Sequence, residues 1–429
     1  MSALPVLPAG REGKDARLDA LLPEELRALF DDRFATSCGL FEEYVRRRAI
    51  DVVRDTGLDA AAREAGTAGE IAARAGLVEK SSRVPVAWLF ETLGEAGLAA
   101  RDDRGRYRLA DALPRLEPRE IAEAQARHDA ACLPAYRLAD LAAAAYPGVL
   151  RGETSGEQAL FGPETIAAWF DYFSNDNPIY AVSNRIGAVA AAKALATAKA
   201  LATAKTLGVA SGGESARAPG VTILELGGGL GSATAALLEL LGGKGSGSKG
   251  PGSGGEGPGA LLASYRFTEL APSFLRRGQR TLAARFPAAP LSFSRLDMDR
   301  PFAEAGVEQE SCALVYGVNT LHVARDLEFT LAEVRRSLAP GGALVISECV
   351  RPFAERPVYV EFLFNLLESF QAPTLVDPWR PHGGFLAPGQ WTAALEACGF
   401  REVVVTPHLG RIREICPQFV VAAIAAVRE

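Results

Sequence analysis

Lysine and histidine are scarce in this chain of 429 residues, and its cysteines are scattered. The lysines stand at 14, 80, 193, 199, 205, 244 and 249, so none beyond Lys249 can act as a proton acceptor. Histidine occurs only at 128, 322, 382 and 408. The six cysteines (38, 132, 312, 349, 398 and 416) include no Cys-x-x-Cys pair, which argues against a zinc site or disulfide scaffold and for a reducing compartment. No apolar run approaches the roughly 20 residues of a membrane span. The opening Met-Ser-Ala-Leu-Pro lacks the charged start and apolar core of a secretory signal, so a cytoplasmic location is expected. The net charge of −6 provides no general attraction to nucleic acid or anionic membranes.

A hydrophobic content of 48% with 23% charged residues describes a globular protein, and the length predicts two domains. Residues 20–150 read as helical and rich in alanine and leucine. Within them, Gly66–Gly76 and Ser81–Gly97 resemble a helix-turn-helix, and Leu98–Leu109 a hairpin turning at Asp103-Arg104-Gly105. This is a winged-helix pattern. Its second helix carries Glu91 and Glu95 beside Arg83, with apolar Val86, Leu89, Phe90 and Leu93, which favours packing over DNA recognition. The expected division is a helical domain over 1–160, connecting helices and a linker over 161–220, and an α/β domain over 221–429. Strands are predicted at 221–226, 265–270, 290–297, 311–319, 342–348, 401–407 and 418–427, with helices mostly between. That alternation predicts a doubly wound, Rossmann-like sheet of seven strands. The Gly/Ser-rich stretch 242–259 is expected to be a disordered insert on the face away from the ligand.

The first strand, Val221-Thr-Ile-Leu-Glu-Leu226, runs into Gly227, Gly228, Gly229 and Gly231 before a helix from Ser232 to Leu241. Such a turn lets a ligand approach the backbone closely. A dinucleotide would set its pyrophosphate here, against the carboxylate of Glu225. The spacing also departs from Gly-x-Gly-x-x-Gly, whose last place holds Ser232. A cationic ligand suits an acidic turn better. Two further acids end the next two strands, Glu269 before Leu270 and Asp297 before Met298. The fourth strand leads to Asn319-Thr-Leu-His322, and the fifth ends at Glu348. A neutral imidazole is the usual proton acceptor near pH 7, and a carboxylate on one ring nitrogen leaves the other as base.

These residues carry a resemblance. Glu225-x-Gly227-x-Gly229-x-Gly231, Glu269, Leu296-Asp297-Met298 and Asn319-x-Leu-His322 look like class I S-adenosylmethionine (SAM)-dependent methyltransferases. The stretch Asn319-Thr-Leu-His-Val-Ala-Arg-Asp-Leu, with Ser347-Glu348, Phe267-Thr-Glu-Leu-Ala-Pro-Ser-Phe and Pro378-Trp-Arg-Pro, is similar to polyketide synthase C-methyltransferase domains. The N-terminal half resembles the winged-helix domain of small-molecule O-methyltransferases, which dimerises the enzyme and lines the pocket. Those enzymes carry an aromatic or acidic residue after the histidine, where Val323 stands here.

The resemblance implies SAM as cofactor, with an ammonium and a sulfonium that suit Glu225. It implies His322 and Glu348 as a deprotonating dyad, a homodimer, and an enolisable carbon or a hydroxyl as acceptor, free or tethered to a carrier protein. Expected cofactor contacts are Glu225, Gly227, Gly228, Gly229, Gly231, Glu269, Leu270, Asp297, Met298 and Asn319. Expected acceptor contacts are Trp169, Tyr172, Phe173 and Tyr180, with aromatics of 353–391 and His382 as reserve base. His128 and His408 are read as structural, and no metal-ligand cluster is apparent. Two rival readings are a SAM-sensing DNA-binding regulator and a nicotinamide-dependent oxidoreductase.

Overall fold

The computed structural model describes residues 16–209, 220–242 and 262–429. Most of the linker expected over 208–220 and of the insert expected over 242–259 falls outside these residues. No described helix is long and apolar enough to cross a membrane.

The N-terminal region is built on the helix Asp32–Asp55, which opens where the Asp31 carboxylate accepts the Phe34 N–H at 2.8 Å. Helices Ala68–Arg74 and Glu79–Glu95 follow, and then an antiparallel hairpin of β1 (Ala100–Arg101) and β2 (Tyr107–Arg108). Helix-helix-hairpin thus stands where the sequence pattern puts it. Val86, Leu89, Phe90 and Leu93 of the second helix are completely buried. They belong to one core of buried residues that runs from Leu18 to Ala426.

The remaining strands are β3 (Val221–Leu226), β4 (Leu262–Thr268), β5 (Leu291–Ser294), β6 (Cys312–Val318), β7 (Leu338–Cys349), β8 (Phe400–Thr406) and β9 (Val421–Arg428). They form one sheet in the order β5-β4-β3-β6-β7-β9-β8, with β9 antiparallel to both neighbours and the other pairings parallel. All seven predicted strands are present, and the class is the expected α/β. β5 is shorter than predicted and β7 starts earlier. The chain leaves β3 in one direction to β4 and β5, then returns to β6 on its other side. That reversal opens a crevice at the strands' C-terminal ends.

The helix Pro178–Val209 covers one sheet face. Its small side chains allow a close approach. A Cβ on Gly187 would lie 2.9 Å from the Ser347 Cβ and 3.0 Å from the Tyr316 hydroxyl.

A buried carboxylate ties the N-terminal helices to the segment after β7. Glu361 accepts from the Trp88 indole N–H (3.2 Å), the Arg351 Nε (2.9 Å), and the backbone N–H of Val358 (3.0 Å) and Phe385 (3.3 Å). Removing it leaves Arg351, itself buried, without its counter-charge. Glu361→Ala is therefore expected to lose about 3–5 kcal/mol of stability. Guanidinium denaturation of the variant against the parent measures this, and an unchanged midpoint would contradict it.

Candidate functional site

The glycine turn brings three strand tips together. Gly227 has φ +58°, and a Cβ there would lie 2.0 Å from the Thr320 hydroxyl oxygen. At Gly228 it would enter the Phe267 ring at 2.2 Å. The Gly228 N–H donates to the Thr268 carbonyl at 2.8 Å, fastening the turn to β4.

Beyond this turn lies a cavity of about 700 Å³ at the sheet's reversal point. Glu225, Gly227, Gly228, Gly229, Glu269, Leu270, Asp297, Met298 and Asn319 all line it. Of the expected cofactor set only Gly231 is off the wall. It instead starts the helix Ser232–Leu241 at φ +82° and faces Leu282.

The acids differ in how fully they are answered. Glu225 is 1% exposed; its Oε2 accepts from Thr234 Oγ1 at 2.5 Å and from the Tyr265 hydroxyl at 2.9 Å. Its Oε1 has no partner among the described residues. Burial pushes this carboxyl up to about 7; the Thr234 and Tyr265 hydroxyls oppose that and Glu269 adds to it. Glu269, also raised by burial, accepts the Gly229 N–H at 3.0 Å and the Ala271 N–H at 2.8 Å. It therefore pins the glycine turn as well as facing the cavity. Asp297 accepts the Asp299 N–H at 3.0 Å.

Asn319 is one of three non-glycine residues with positive φ among the described residues, at 49°. Asparagine tolerates this region because its short amide bonds locally. Here the Oδ1 accepts the Cys349 N–H at 2.7 Å, and the Asn319 N–H donates to the Ser347 carbonyl at 2.8 Å. These bonds lock the tips of β6 and β7 together and fix the loop that follows.

That loop holds His322, 4% exposed, in a short 3₁₀ turn over Leu321–Val323. Its Nδ1 lies 2.7 Å from Glu348 Oε2. The other Glu348 oxygen accepts the Thr320 and Leu321 N–H groups at 3.1 and 2.8 Å. An acceptor-only carboxylate at this distance assigns the ring proton to Nδ1 and leaves Nε2 as the basic nitrogen. The ring packs against Phe385 (centroids 4.7 Å apart) and Phe370 (5.9 Å), which also touch each other. Thr320 and Val323 on either side line the cavity, whereas His322 and Glu348 themselves do not.

Several acceptor-contact expectations are corrected. Phe173 and Tyr180 line the cavity, but Trp169 and Tyr172 do not. Trp169 is completely buried, donates its indole N–H to the Leu160 carbonyl at 2.7 Å and stacks on Phe161; Tyr172 is 2% exposed beside it. Both pack the core because neighbouring aromatics cover them. His382 is also off the wall, its Nδ1 2.8 Å from the Gly383 carbonyl oxygen. From segment 353–391 only Ser369 reaches the cavity; Tyr359, Phe362, Phe370 and Trp379 are core. Among the described residues no lining residue precedes Phe161, and the connecting segment forms the wall expected from the N-terminal domain.

Sequence reasoning missed Asn184 and Arg380. Asn184 is buried on the cavity wall, four residues past Tyr180. Arg380 is completely buried and donates from Nη2 to the His322 carbonyl at 2.5 Å, while its Nε and Nη1 have no partner among the described residues. Burial lowers it to about 10 and the nearby Glu348 opposes this. Its only sequence signal was the Pro378-Trp-Arg-Pro string. Among the described residues no group of three or more His, Cys, Asp or Glu could hold a metal ion.

The fold is similar to that of solved methyltransferases. The chain superposes on the CurJ carbon methyltransferase with a TM-score of 0.72 at 22% identity, covering 96% of this chain and 97% of that one. The citrinin polyketide synthase CMeT domain gives 0.63 at 19% identity, covering 91% and 89%. The trans-methyltransferase CalH in complex with SAH gives 0.51 at 20% identity, covering 90% and 92%. Among curated proteins, the highly reducing polyketide synthase NEC1 of Pyricularia oryzae is 31% identical over 185 residues, 43% of this chain and 6% of its own length. The non-reducing polyketide synthase dpmpA of Macrophomina phaseolina is 26% identical over 326 residues, 73% of this chain and 13% of its own length. The chain therefore matches only a small part of these synthases. No family model matches it.

The state of Glu225 gives a pH dependence. A cation that pairs with Glu225 binds its ionised form, so affinity rises as pH passes upward through about 7 and then levels off. Below that point the loss reaches up to about tenfold per pH unit. Tyr265 and Tyr316, the phenols nearest this carboxylate, are held well above their ordinary range and stay neutral throughout. Calorimetric titration with SAM across this range is expected to show the rise in parent protein and a flat, weaker profile in Glu225→Gln. A parent profile independent of pH would contradict it.

Proposed function

We propose that this chain is a SAM-dependent methyltransferase that methylates an enolisable carbon of a polyketide-like acceptor, free or tethered to a carrier protein. The observation that carries the reading is a half-answered buried carboxylate on the cavity wall, with a carboxylate-held imidazole in the loop at the neighbouring strand tip, where Thr320 and Val323 on either side of it line the same cavity. SAM fits what lines it: Glu225 Oε1 and Asn184 Oδ1 are acceptors with no partner among the described residues and suit its ammonium. Glu269 and Asp297 offer carboxylates towards ribose and adenine, and Leu270 and Met298 offer apolar surface. The SAH bound to CalH, in a chain of the same fold, supports this choice of cofactor. A nicotinamide dinucleotide would bring phosphates to Glu225. A DNA-binding role would need the second helix of the N-terminal pair, whose apolar face is spent on the core.

When bound, SAM supplies an electrophilic methyl group. The chain must supply a nucleophile and hold it in line. Nε2 of His322 removes a proton from the acceptor carbon, whose electron pair then delocalises onto the adjacent carbonyl as an enolate. Glu348 stabilises the resulting imidazolium and keeps the ring oriented. The Phe385 and Phe370 rings keep bulk water from the imidazole. Carbon is favoured over oxygen as acceptor because the carbon methyltransferase CurJ superposes over nearly the whole of both chains.

Incubation with SAM and a 3-ketoacyl thioester, followed by mass spectrometry, is expected to place the new methyl on the carbon between the two carbonyls. An enol ether would instead assign oxygen. His322→Ala is expected to bind SAM like the parent and to lose turnover about 10²-fold or more. Near-parental rates in that variant would eliminate His322 as the base.

A further inference from the structure

We propose that Asn184 binds the α-ammonium group of the methyl donor together with Glu225, its amide held in the accepting orientation by a relay from Ser232 through Asn175. The proposal rests on reading the cavity as a SAM site.

The relay begins at a group that cannot change its role. The Ser232 carbonyl only accepts, and it accepts from Asn175 Nδ2 at 2.8 Å. Asn175 must then turn its oxygen the other way, where it accepts from Asn184 Nδ2 at 2.8 Å. Asn184 has no choice left, and its Oδ1 points onward as an acceptor. Either amide flipped would set two like groups against each other. A second bond braces the same junction, from Ser232 Oγ to the Phe173 carbonyl at 2.7 Å.

Asn184 is 0% exposed and lines the cavity, and its Oδ1 has no donor among the described residues. Glu225 Oε1 is in the same condition on the same wall. Leaving two buried acceptors unanswered is costly, and the cost is removed by a ligand made wholly of donors. A primary ammonium is such a group: three N–H donors, no lone pair and a positive charge to meet the carboxylate. The helix carrying Asn184 also lies against this region, with Gly187 facing Tyr316 and Tyr316 paired with Glu225 in the β3–β6 ladder.

SAM and SAH share the ammonium, whereas 5′-methylthioadenosine keeps the nucleoside and lacks the amino-acid end. Calorimetric titration of all three into the full chain separates the parts. Asn184→Ala is expected to bind SAM and SAH about tenfold or more weakly and 5′-methylthioadenosine like the parent, since a hydrogen bond to a charged group is lost. Unchanged nucleoside binding also reports that the variant folds. If the alanine variant does not fold, Asn184→Leu, closer in volume, is expected to give the same split. Undiminished SAM binding in the variant, or equal losses for all three ligands, would overturn the assignment. Parent protein that binds none of them would instead overturn the donor reading on which it rests.

Discussion

A carboxylate taken out of water must be met by donors, and the degree to which each one is met organises this molecule. Glu348 is fully answered, by two backbone N–H groups and the His322 ring. It has nothing left to offer a ligand and acts by holding the imidazole. Glu225 is answered on one oxygen only. It stays close to protonation until a cation arrives. Glu269 stands between them, spending bonds on the glycine turn while still facing the cavity. A structural role and a ligand-binding role are thus separated by hydrogen-bond accounting rather than by residue type.

The scaffold makes this possible by crossing over. β3 sits between β4 and β6 with the chain departing on both sides, so the tips of β4, β3 and β6 are adjacent although β5 separates β4 from β6 in the chain. Glycines at 227 and 228 occupy places that Thr320 and Phe267 deny to any side chain. Asn319 adopts a backbone conformation that fixes the loop carrying His322, whose neighbours Thr320 and Val323 line the same cavity. Ser232 holds the connecting segment at the cavity wall, and Glu361 separately ties Phe385, beside the imidazole, to Trp88. The imidazole is therefore braced through Phe385 by a network that reaches into the N-terminal helices.

Much of this was legible in the sequence because it was local. Strand and glycine turn are contiguous, and an acid at a strand tip is placed by the strand itself. Nine of the ten expected cofactor positions line the cavity for that reason. The histidine and glutamate could be paired because β6 and β7 are neighbours in a doubly wound sheet. What the sequence could not give was which aromatic side chains face inward. Trp169, Tyr172 and Phe173 fall within five residues, and helical geometry turns only the last towards the opening while the others meet Phe161, Phe364 and each other. Asn184 was hidden in an alanine-rich helix, and Arg380 in a loop whose partner, the His322 carbonyl, is 58 residues away. Long-range pairings of this kind leave no periodic signal.

The central claim is that this cavity is built for a positively charged methyl donor and not for a dinucleotide phosphate. Direct competition is the sharpest test: radiolabelled SAM retained on the purified full chain, challenged in turn with unlabelled SAH and NAD. The account predicts saturable retention of SAM at one site per chain, displaced by SAH and untouched by NAD. Displacement by NAD, or no saturable retention of SAM, would contradict it.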